Sequence, residues 1–120
     1  MNMNRTIPSL LHLFLRKLCM RIDLLRIREA YADHPLPRSI RSLSDTLDEL
    51  HVPNMVCRLE FGQLFEIEGP FVVKAGEEEY PFFLVESLDR ERQVIGLRTV
   101  AGRRLEVPFD SFRALWDGTV

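Results

Sequence analysis

The chain has 120 residues, of which 46% are apolar and 28% charged, and its net charge is −2. That length suits one compact domain whose core needs neither metal nor disulfide staples. No apolar run is long enough to cross a bilayer, and the charge balance offers no basic stripe for nucleic acid.

Charge is unevenly spread. Residues 1–58 carry 9 Lys/Arg against 6 Asp/Glu, and residues 59–120 carry 7 against 12. This reads as the mild dipole of a solvated surface rather than a basic face turned to anionic lipid. The first apolar stretch, residues 9–18, is broken by His12, Arg16 and Lys17, and no small-residue cleavage site follows. No secretory signal is therefore read, and the expectation is a soluble, cytoplasmic piece.

Pro8 and Ser9 can open a first helix, which Leu10, Leu11, Leu13, Phe14, Leu15 and Leu18 wrap on nearly every side, the pattern of a buried helix. Asp23 can cap a second, with Leu24, Ile27 and Tyr31 on one face, stopped by the prolines at 35 and 37. Ser39 or Ser42 caps a third. Ser42 and Asp45 have capping-box spacing, Ile40, Leu43, Leu47 and Leu50 share a face, and Pro53 closes the segment.

From Asn54 the apolar period changes to two. Strands are expected at 54–60, 70–75, 81–88, 93–100 and 103–107, with one helical turn at 61–67. Gly76 with the glutamates at 77–79 makes one hairpin tip, and Ala101 with Gly102 a tighter one. The strand at 81–88 opens on Pro81 and is read as carrying no proton-moving group. Phe109, Phe112 and Trp116 recur at helical spacing, giving a short C-terminal helix. Helices first and a meander afterwards make an α+β fold, a single domain over residues 1–120.

Four stretches carry a resemblance: "SIRSLSDTLDELHVPN" (39–54), "GPFVV" (69–73), "PFFLVESL" (81–88) and "RRLEVPFDSFRALWDGTV" (103–120). The F…W-x-G ending over Phe112, Trp116 and Gly118 is the most telling. In order and spacing they resemble the bacteriocin-processing cysteine peptidase domain. That papain-like domain stands at the N-terminus of peptide-exporting ABC transporters. A catalytically silent relative precedes vitamin K epoxide reductase-like membrane proteins of bacteria.

The resemblance implies N-terminal helices packed on an antiparallel sheet. It also implies a thiolate at the head of the first helix, a histidine before the central strand, an Asp or Asn on the next strand, and an upstream Gln. The matching positions here fall at Thr6, Pro81 and Arg98, and the first Gln is Gln63. Every catalytic position is occupied by a residue that cannot serve it. The expectation is thus an inactive, peptidase-like docking module without cofactor. It would sit on the cytoplasmic side of the bacterial inner membrane as the N-terminal part of a larger membrane protein, with the reductase-like context favoured. Expected partners are a peptide or protein ligand and the parent's own membrane segments. Remnant-cleft positions are Thr6, Tyr80, Pro81 and Arg98. The alternative is an active leader-processing peptidase domain of an ABC exporter.

Other residues give that alternative little help. Cys19 and Cys57 lack C-x-x-C spacing and read as small core residues. Cys19 stands at the wrong end of its helix for the dipole to lower a thiol pKa, and His12 lies two turns away. His12, His34 and His51 share no metal-ligand spacing.

Overall fold

The computed structural model describes residues 3–32, 34, 39–74, 81–116 and 118–120, and side chains from Ile7 onward. In chain order the elements are α1 (Met3–Lys17), α2 (Leu24–Tyr31), α3 (Ile40–Glu49), a 3-10 helix (Phe61–Glu66), β1 (Phe71–Lys74), β2 (Phe82–Asp89), β3 (Val94–Thr99), β4 (Arg104–Pro108) and α4 (Phe109–Leu115). The four strands form an antiparallel meander in the order β1-β2-β3-β4. The α+β architecture, with N-terminal helices on a C-terminal antiparallel sheet and a short final helix, is the one expected.

Strand alternation divides the interior into two layers. Val72, Phe82 and Leu84 point to one face, where they join Ile7, Leu10, Leu11 and Leu15 of α1, Ile27 and Tyr31 of α2, and Leu43 and Leu47 of α3. Phe71, Val73, Phe83, Val85, Ile95 and Leu97 point to the other, where Leu64 and Phe112 cover them. An apolar run such as 82–85 is buried throughout because both faces of β2 are covered.

Several local expectations are corrected. Helix α1 starts at Met3 and carries Pro8 inside it, so Pro8 interrupts its hydrogen-bond ladder rather than opening it. It is not buried all round: Ile7, Leu10, Leu11 and Leu15 are, whereas Leu18 is exposed. The N-cap of α3 is Ser39, whose side chain accepts from the Ser42 backbone N–H at 3.2 Å. Asp45 is not its capping partner; it bonds His34 Nε2 at 2.9 Å. Asp23 stands at the N-cap of α2, but its side chain makes no capping bond.

The segment 54–60 is not a strand of the sheet. It makes a single bridge, Arg58 to Thr119, flanked by backbone bonds between Cys57 and Val120 and from Leu59 to Gly118. The expected hairpin tip at 76–79 lies outside the described residues. The tighter tip is as expected: Gly102, at φ +82°, takes the left-handed position of a short loop closed by Thr99 N–H to the Arg103 carbonyl.

Both α1 and α3 end in the same way. The Met20 and Cys19 N–H groups donate to the carbonyls of Leu15 and Arg16; those of Val52 and His51 donate to Leu47 and Asp48. Each pair is a Schellman motif, and each puts a non-glycine residue, Cys19 at φ 61° or His51 at φ 60°, in the left-handed position. This explains why Cys19 is exposed rather than in the core, as composition suggests: the position after the helix cap faces outward. Cys57 is only half-buried.

Candidate functional site

Pro81 is buried at the head of β2. Arg98 pairs in register with Leu84, so both side chains stand on the face that α1 covers. Thr6 belongs to the first turns of α1, with its side chain outside the described residues, and Tyr80 is likewise outside them. At the other end of α1, Lys17 is fastened to Glu86 of β2.

The side chain that organises this face is Glu86, which the sequence reading passed over. A register shift between Val85 and Ser87 places it at a bulge. From there its two oxygens reach different cations. Lys17 Nζ lies 2.6 Å from Oε2, and Arg98 Nε donates to Oε1 at 3.1 Å. Arg98 also donates through Nη1 to the Gly102 carbonyl at 3.3 Å. Burial pushes the Glu86 carboxyl up, but the hydrogen bond and charge of Lys17, with those of Arg98, outweigh it and hold the group below its ordinary range. An ionised, doubly paired carboxylate is a structural tie, not a general base. Strand alternation alone puts Glu86 on the face of Phe82 and Leu84, but no motif shows that Lys17 and Arg98 meet it there, because that depends on tertiary packing.

Where the resemblance puts an orienting carboxylate, this chain has a guanidinium, and the carboxylate that neutralises it comes from the neighbouring strand. Neither sulfur lies in these elements. Cys19 follows the C-terminal end of α1, and Cys57 lies in the extended segment beside Val120. His34 is occupied with Asp45, and His51 forms the turn after α3. Among the described residues no group of three or more His, Cys, Asp and Glu side chains could hold a metal ion.

The F…W-x-G ending has a clear structural task. The Phe112 and Trp116 rings stack with centroids 5.7 Å apart, and the indole N–H donates to the Thr119 carbonyl at 2.9 Å. Gly118 turns the chain at φ +97°, where a side chain would be strained. The last residues then run antiparallel to 57–59, and Thr119 also accepts from the Lys74 N–H, covering that edge of β1.

A second feature is an apolar groove of about 190 Å3, between the C-terminal half of α1, the inner face of α3 and residues 52–56. Leu11, Phe14, Leu43, Leu47 and Val72 line it, and Leu18, Met20, Met55 and Val56 border it while remaining exposed. Asn54 fixes the chain beside it, bonding the Asp48 carboxylate at 2.8 Å and the Val52 carbonyl at 3.0 Å. Thr6, Pro81 and Arg98 are not among its lining residues.

The other edge of the sheet is guarded. The bonds from Thr99 N–H to Arg103 and from Phe109 N–H to Gln93 fix the register. The backbone of Arg104, Glu106 and Pro108 therefore faces outward. Two exposed charges and a proline without an N–H make a poor template for another strand.

Comparison with solved structures finds the same fold. The chain superposes on the peptidase domain of Streptococcus ComA, a bi-functional ABC transporter involved in a quorum-sensing pathway, with a TM-score of 0.79. The match covers 99% of this chain and 90% of that one at 11% sequence identity. No family model matches the sequence, and no curated protein does. The chain thus has the fold of a peptidase domain of that kind. Among the described residues no helix is long and apolar enough to cross a membrane.

Proposed function

We propose that the chain is a non-catalytic peptidase-like module that docks a peptide segment through apolar side chains. The observation that carries the docking is the groove: two helices and an extended segment leave an apolar trough bordered by four exposed hydrophobic side chains. Apolar surface of this kind, set among polar neighbours, is characteristic of interaction sites. The guarded β4 edge favours side-chain docking over backbone pairing. Loss of catalysis is inferred from Pro81, which has no titratable group, and from Arg98, whose charge is wrong for orienting an imidazole. Attachment to a bacterial membrane protein of the vitamin K epoxide reductase-like type, on the cytoplasmic side, rests on the sequence resemblance.

The test is a pair of assays on the same preparation. Leader peptides ending in a double glycine are incubated with the protein and followed by mass spectrometry, and their binding is titrated by calorimetry. The expected result is no cleavage, with binding that weakens when Leu18 and Val56 are both changed to Ser. Cleavage abolished by alkylating Cys19 or Cys57 would establish the active peptidase instead. Intact peptides that do not bind even at millimolar concentration would leave a purely structural spacer.

A further inference from the structure

At one corner of the molecule α1 ends, the chain turns, and α2 begins. Five of the nine Lys and Arg residues in positions 1–58 fall here, at 16, 17, 21, 26 and 28, against two carboxylates, Asp23 and Glu29. Lys17 is taken up by Glu86. Arg16, Arg21, Arg26 and Arg28 are exposed, and among the described residues none of their side chains has an ion pair or hydrogen bond. The same corner holds three of the five large hydrophobic side chains that the described residues leave exposed: Leu18, Met20 and, at 65%, Leu25. On α2, Ile27 and Tyr31 turn into the core. Helical spacing then puts Leu25 near the middle of the opposite face, with Glu29 one turn on and Arg26 and Arg28 to either side.

We infer that this corner rests on the surface of an anionic lipid bilayer. Read along the chain, the basic first half is only a mild dipole; in the fold, its unpaired cations stand among outward-facing apolar side chains. Guanidinium groups there would pair with headgroup phosphates while Leu25 enters the boundary between headgroups and acyl chains. A protein partner suits the corner less well. Interface cores are depleted of charge, whereas Leu25 stands between arginines on a convex helical face, and a fluid surface adapts to such a shape. The inference is separate from leader docking: Arg16, Arg21, Leu25, Arg26 and Arg28 do not line the apolar groove.

The experiment sediments the 120-residue protein with vesicles of phosphatidylcholine mixed equally with phosphatidylglycerol, and with vesicles of phosphatidylcholine alone. The protein should pellet with the first and not the second, and molar salt, which shortens the screening length to about 3 Å, should release it. Changing Arg26 and Arg28 together to Gln should lower the partition coefficient about ten- to thirtyfold, the order set by two cations near an anionic leaflet. Leu25→Ser should lower it about three- to tenfold through lost insertion. A control pair, Arg90→Gln with Arg113→Gln, removes the same charge from the aromatic side of the sheet and should leave binding near the native value. Every changed side chain is exposed, and circular dichroism checks each variant's fold. No pelleting with the anionic vesicles overturns the inference. So does undiminished binding by the Arg26 and Arg28 variant, or an equal loss in the control pair, which would assign binding to diffuse charge. Protein that ignores vesicles but is held by polyglutamate until salt is added would assign the corner to an acidic polypeptide instead.

Discussion

On one face of the sheet, Phe61, Phe65 and Phe109 meet edge to face with centroids 5.2 to 5.6 Å apart, Phe112 stacks on Trp116, and two arginines lie over the outer rings. On the other face the packing is chiefly aliphatic, drawn from three helices. That side is open at the groove, and beside the end of α1 a carboxylate between two cations replaces apolar contact. The aromatic layer is assembled largely from two short helical segments and closed by the C-terminal clamp. The aliphatic layer needs α1, α3, residues 52–56 and the sheet to meet, and their imperfect meeting leaves the groove. The aromatic layer is therefore the smaller and closed one, and the aliphatic layer, with more buried side chains, carries the surface proposed for docking.

Deleting the centre of the aromatic layer is the strongest way to break that contrast. Phe112 is 1% exposed, and Phe112→Ala should cost about 3–5 kcal/mol, measured as a fall in the denaturation midpoint. A loss below about 1 kcal/mol would show that the layer is not the anchor.

The charged tie comes next. Glu86→Gln leaves Lys17 and Arg98 without their counter-charge and should cost about 2 kcal/mol at neutral pH. Because the folded-state pKa of Glu86 is lowered, its contribution is complete above the carboxyl's unfolded value of 4.5. The contribution falls away as pH drops through the lower folded value. Wild type and variant should therefore converge in stability as the solution is acidified below that range. A gap that persists unchanged in acid would assign the loss to packing rather than charge.

The smallest effect is a gain. His51 is exposed and holds a left-handed conformation that costs a non-glycine residue energy, so His51→Gly should raise stability by about 0.5–1 kcal/mol in the same denaturation experiment. Destabilisation there would mean that the histidine makes contacts outweighing its strain.

The sequence by itself determined the order of elements, the change of apolar period at Asn54, and the poor fit of Pro81 and Arg98 to cysteine-peptidase chemistry. Those features depend on neighbours within a few residues or on side-chain identity alone. It did not disclose that Met3 starts α1, because a proline early in a helix looks like a beginning, and tertiary packing outweighs that local cost. Nor did it disclose that 54–60 pairs only with the chain's last residues, or that Glu86 sits between Lys17 and Arg98. An extended segment can find an edge anywhere in the chain, and the cations that meet a strand carboxylate come from elements distant in sequence. Which face a residue turns to, and what meets it there, was decided only when the distant pieces packed together.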